Sequence, residues 1–76
     1  MNTSLFVGLC EDAGFDVNVG NSITTVYSSS GLTIAAVNEK AHALYWIDTY
    51  GVSQHDAVKA AEIVTPYAMT PIEDRE

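Results

Sequence analysis

The stretch "SITTVYSSSGLTIAAV", residues 22–37, decides the fold. Two runs rich in β-branched and aromatic residues flank "SSSG", so they read as the arms of an antiparallel hairpin. A connection through Ser29 and Ser30, or through residues 28–31, sets Tyr27 opposite Leu32. Side chains alternate along a strand, so Ile23, Thr25, Tyr27, Leu32, Ile34 and Ala36 then share one face. Thr24, Val26, Thr33, Ala35 and Val37 share the other.

Reading outward, "FDVNVG" alternates Phe15, Val17 and Val19 against Asp16 and Asn18, which predicts a half-buried strand before the "GN" turn at 20 and 21. Downstream, "NEKAH" is a polar interruption and "ALYWID" a fourth strand. If residues 39–42 close that turn symmetrically, Tyr45 and Ile47 join the first face. Leu44 and Trp46 then join the second, and a one-residue slip exchanges the two pairs.

At either end the period changes. "TSLFVGLCEDAG" predicts a short helix capped by Thr3 or Ser4, with Leu5, Phe6, Leu9, Cys10 and Ala13 on one face and Gly14 as its stop. A strand over residues 4–9 is the alternative, since Gly8 lies inside and Glu11 and Asp12 oppose the helix dipole. Ser53 with Asp56 resembles a capping box and opens a second helix over about residues 54–69. Ala57, Ala60, Ala61, Val64 and Ala68 form its apolar stripe, flanked by Ile63 and Tyr67. His55, Lys59, Glu62 and Pro66 face solvent, and Pro66 bends the helix towards its packed side. Thr70 precedes a proline and avoids helical angles, so the helix stops there. Thr70 and Glu73 spell a further capping box, but one turn cannot stand alone. The reading is a tail that folds back and rests Ile72 on the core edge.

The expected fold is therefore α+β: a helix, a three- or four-stranded antiparallel meander and a C-terminal helix, with both helices on one face of the sheet. Residues 1–76 make a single domain, with 70–76 a C-terminal turn or tail. If the helices cover the first face, Val26, Val37, Leu44 and Trp46 are left among threonines on the open one. Those four residues are the candidate protein interface.

Composition narrows the function classes. Hydrophobic residues are 47% of the chain, enough to argue against a disordered tail. Ten Asp and Glu face only Lys40, Lys59 and Arg75, for a net charge of −7, so direct binding to nucleic acid is not expected. The element order is similar to that of the double-stranded-RNA-binding domain, but the corresponding helix start, "SQHDAVKAAE", lacks the basic character RNA requires. A basic protein partner suits this charge, as does mere solubility. No signal peptide or membrane-spanning run is visible, and the expected location is the cytoplasm. Cys10 is alone, and with His42 and His55 it shows no metal-ligand spacing. No spacing joins His42, Asp48 or His55 to a nucleophile. Neither a catalytic site nor a cofactor is expected.

The second half, from "SITTVYSSSGLTIAAVNEK" to "AAEIVTPYAMTPIEDRE", resembles a group of small proteins encoded by phages and prophages of lactic acid bacteria and their relatives. The distinctive part is a "YA-x-TP-I-E-x-R-E" ending, matched by Tyr67, Ala68, Thr70, Pro71, Ile72, Glu73, Arg75 and Glu76. The resemblance spans about residues 9–76 and departs at Thr65 and Pro66, where the group runs through as uninterrupted helix. That group has no assigned activity. The resemblance implies a non-enzymatic accessory protein of the bacterial host cell that acts by binding a protein, inhibitor-like by analogy with anti-CRISPR proteins. The alternative is a self-associating structural or scaffold component of a phage.

Overall fold

The computed structural model describes residues 1–76. Helix α1 (Thr3–Asp12) leads into strands β1 (Asp16–Asn18), β2 (Ile23–Tyr27), β3 (Thr33–Asn38) and β4 (Tyr45–Ile47). Helix α2 (Gln54–Ala68) and a 3-10 turn, Ile72–Asp74, complete the chain. The strands form one antiparallel sheet in the order β1-β2-β3-β4, and the helices pack on it, giving the expected α+β fold with four strands. No helix is long and apolar enough to cross a membrane.

Local chemistry sets both helix starts and one helix end. Asn2, one residue before the expected caps, has extended backbone, and its Oδ1 accepts from the Leu5 N–H at 2.8 Å. Gly14 (φ +85°) ends α1. Its N–H donates to Glu11 at 3.0 Å, and the Phe15 N–H donates to Cys10 at 2.9 Å, the paired bonds of a left-handed glycine cap. Ser53 Oγ accepts from the Asp56 N–H at 3.2 Å and opens α2. Inside α2, Pro66 sits on the solvent face. The buried stripe is Ala60, Ile63, Val64, Tyr67 and Ala68, rotated from the expected alanine row, so Ala61 is exposed. On α1 the buried residues are Phe6 and Cys10, and Leu5 is exposed.

The sheet register differs from the sequence expectation in three ways. Gly31 (φ +88°) turns the chain, and Ser28 exchanges backbone bonds with Gly31 and Leu32, which places Tyr27 opposite Thr33. A β-bulge follows at once, because Val26 pairs with Ala35. The net shift along the hairpin is two residues, and an even shift preserves the sides. Thr24, Val26, Ala35 and Val37 therefore do share a face, while the bulge brings Ile34 inward beside Ala35 and puts Thr33 outward. The next turn slips by one residue. Asn38 Oδ1 accepts from the Lys40 and Ala41 N–H groups, and Ala43 adopts φ +62° so that its N–H reaches the Ala68 carbonyl at 3.1 Å. Trp46 consequently pairs with Ala36, and Tyr45 with Val37.

The third difference concerns which face the helices cover. They cover Thr24, Val26, Ile34, Ala35 and Val37, all buried completely, and the four apolar ones join Phe6, Phe15, Val64, Tyr67 and Ala68 in one core. Val26 and Val37 thus lie inside the protein and not on an open surface. Short aliphatics fit under the helices, whereas Ile23, Thr25 and Tyr27 project outward. Val19, expected inward with Phe15 and Val17, is also exposed, because β1 ends at Asn18.

Candidate functional site

Two regions concentrate side-chain chemistry: the open face of the sheet and a polar cluster where the chain ends meet. In the cluster, Arg75 is only 3% exposed. Its Nη1 donates to Glu39 Oε1 and to the Asn38 carbonyl, both at 2.8 Å. Nε and Nη2 donate at 3.0 Å to the carbonyls of Thr70 and Ala68. The other oxygen of Glu39 accepts from Thr24 Oγ1 and, at 2.7 Å, from the Tyr67 hydroxyl. Thr3 Oγ1 lies 2.9 Å from both the Tyr67 hydroxyl and the Arg75 carbonyl, so its one hydrogen is shared between them. The Tyr67 ring stacks on Phe6 (centroids 4.0 Å apart) and carries the Arg75 guanidinium 4.9 Å from its centroid.

The cluster also finishes α2. This helix has no glycine cap, so its last carbonyls take donors from elsewhere. Ala68 receives Arg75 and the Ala43 N–H, Met69 receives His42 Nε2 at 2.7 Å, and Pro66 receives the Thr70 hydroxyl at 2.8 Å. The Thr70 hydroxyl in turn accepts from the N-terminal amine at 3.1 Å. Thr70 therefore forms no capping box with Glu73, and the 3-10 turn has no side-chain cap. The tail does fold back, with Ile72 half-buried, but Arg75 is the residue that fastens it.

Burial is the largest influence on the Glu39 carboxyl and opposes its charge. The hydrogen bonds from Thr24, Tyr67 and Arg75, with the Arg75 charge, together outweigh it and hold the carboxyl below its ordinary 4.5. Burial, and then the adjacent Glu39 carboxylate, push the Tyr67 hydroxyl up to about 12. Burial and Glu11 push the Cys10 thiol up to about 12 as well, so it stays a protonated core side chain. No buried side-chain nitrogen or oxygen lacks a partner. A polar notch of about 420 Å³ beside the cluster, near Thr3, Asn21 and Glu76, borders a guanidinium that already spends four of its five N–H groups on internal acceptors.

The sheet's outer face is the opposite case. Register and alternation set three rows across it: Asp16, Tyr27 and Thr33 at the hairpin end, with the exposed Asp48 just past the end of β4; Asn18, Thr25, Ala36 and Trp46 in the middle; Ile23, Asn38 and Leu44 at the far end. Ile23 is 52% exposed, Leu44 58% and Trp46 48%. With Ala36 and Asn38 they line a shallow apolar hollow of about 330 Å³, flanked by Val37 and Tyr45. Of the four expected interface residues, Leu44 and Trp46 are exposed here, and the one-residue slip together with the inverted choice of face leaves them on the open side. Ile23 and Ala36 replace Val26 and Val37, and nothing in the alternating sequence distinguishes the two sets. Arg75 had one available signal, a lone cation shortly after a helix end, where basic side chains reach the last carbonyls.

Among His, Cys, Asp and Glu, no group of three is placed to hold a metal ion. Of the histidines, His42 is hydrogen-bonded to Met69, and His55 is exposed in the first turn of α2. Compared with protein-family models, curated proteins and solved structures, the chain finds no match.

Proposed function

We propose that this chain is a non-enzymatic accessory protein that acts by binding another protein through the open face of its sheet. The setting we propose is the cytoplasm of a bacterial host carrying the phage or prophage, as the resemblance of the Tyr67–Glu76 ending implies. The observation that carries the reading is the uncovered patch of Ile23, Leu44 and Trp46, on a sheet whose other face packs against the helices. Large apolar side chains gathered around a tryptophan are the usual anchor of a protein interface. A non-enzymatic role is supported by the protonated, buried Cys10 and by the bond that occupies the His42 ring. Absence of direct nucleic-acid binding is supported by the cations: Arg75 is locked to Glu39, and Lys59 lies 3.9 Å from Glu62.

The test is affinity capture from host lysate with the wild-type protein and with Leu44→Asp, matched for thermal stability. A protein held by the wild type and released by the variant is expected; equal retention by both contradicts the reading. Self-association as a phage structural component is the second reading. Its support is β4, an uncharged edge strand of three residues with Tyr45 and Trp46 exposed. Sedimentation separates the two, since a strict monomer over a wide concentration range removes the second.

A further inference from the structure

We infer that the occupant of the open face is a cationic amphipathic segment of a partner protein, its apolar side chain seated over Ile23, Leu44 and Trp46 and its positive charges beside Asp16 and Asp48. This rests on the reading of that face as a binding surface and adds the chemistry of what binds. Asp16 stands at one edge of the outer face, opposite Tyr27 on β2. Asp48 stands at the other edge, just beyond β4, where its N–H donates to Ile34. Neither carboxylate has a cationic partner, because the only ion pairs are Lys59–Glu62 and Arg75–Glu39. Asp48 uses one oxygen to accept from the Tyr50 N–H and leaves the other free.

No lysine or arginine lies in any strand, and the nearest free cation is Lys40, in the loop beside the far row. A surface of this kind is apolar at its centre, acidic at one end and set in a field of net charge −7. Among possible occupants it discriminates by charge. A second copy brings the same carboxylates and the same excess charge, while nucleic acid and anionic lipid are repelled. A basic segment is attracted at a distance and then held by apolar contact, so charge governs arrival and area governs residence.

The probe is a synthetic, tryptophan-free amphipathic peptide of leucine and lysine, compared with counterparts carrying glutamine or glutamate in place of lysine. Trp46 is the only tryptophan, so its emission reports contact directly. The lysine peptide is expected to shift Trp46 emission saturably and to bind at least about tenfold tighter than the glutamine peptide at low salt, with the gap closing as salt rises. Replacing both carboxylates, by Asp16→Asn with Asp48→Asn, should narrow that gap severalfold. Leu44→Ser should weaken both peptides, and Glu62→Gln on α2 should change neither.

Equal binding of the lysine and glutamine peptides overturns the cationic inference and leaves the binding face intact. Lysine-peptide binding that ignores Leu44→Ser places the contact elsewhere and overturns it too. A Trp46 shift that grows with protein concentration alone identifies a second copy as the occupant. No response of Trp46 to any peptide overturns the inference and the face reading together.

Discussion

The two sides of this small sheet obey opposite rules. On the inner side, apolar atoms are covered by the helices, and no nitrogen or oxygen of the buried Arg75 or the half-buried Glu39 side chain lacks a partner. On the outer side, an isoleucine, a leucine and a tryptophan meet water with no element of the chain above them. A domain of this size has little apolar surface to spare, because surface outweighs volume in short chains. Large side chains left half outside therefore contribute less to folding than their size allows and are available for contact. The difference separates residues that hold the molecule together from residues free to do something else.

Substitutions should grade along that divide. Arg75→Ala is the severest, because it leaves a half-buried carboxylate without its cation and takes a donor from each of three backbone carbonyls; breaking a buried ion pair costs about 3–5 kcal/mol. Urea unfolding should show it, and deletion of residues 71–76 should match it. A variant with an unchanged midpoint contradicts the role given to the tail. Acid should act on the same pair. The Glu39 carboxyl sits below its ordinary 4.5, so its contribution is complete above that pH and is lost as pH falls through the folded value. Glu39→Gln should flatten that acid slope, and an identical slope in the variant counts against the assignment.

The smaller effects compare the faces directly. Val37→Ala, on the inner side, should cost about 2 kcal/mol, as loss of two buried methyl groups and the space they leave requires. Tyr67→Phe keeps the ring on Phe6 but removes the hydroxyl from Glu39 and Thr3, for about 1 kcal/mol. Leu44→Ala, on the outer side, should stay within about 0.5 kcal/mol. Chemical denaturation of the series measures all three, and a Leu44 variant weaker than the Val37 variant would invert the two faces.

Much of this was legible in the sequence, and the limits have physical causes. Alternation located the strands, and Gly14 marked the end of α1, because both are local signals. The choice of inner face was not local. Thr24 and Val26 are no more apolar than Ile23, Thr25 and Tyr27, so burial depended on which set fits beneath the helices. The bulge at Ile34 and Ala35 and the left-handed Ala43 each move the register, and neither carries a glycine to announce it. The end of α2 is non-local in the same sense. Its carbonyls are answered by Arg75, His42 and Ala43, and Glu39 lay within what reads as a polar loop. Leu44 and Trp46 reached the open side in the sequence reading through two offsetting differences, whereas Val26 and Val37 had only one and were misplaced.

Everything said of the open face depends on Trp46 standing uncovered on the folded protein. Acrylamide quenching of tryptophan emission, in dilute native protein, tests it without any substitution. With Trp46 48% exposed, substantial quenching is expected, short of that in the urea-unfolded chain but far above that of a buried indole. Emission shifted to the blue and protected from the quencher at every concentration would contradict it, because Trp46 would then belong to the core.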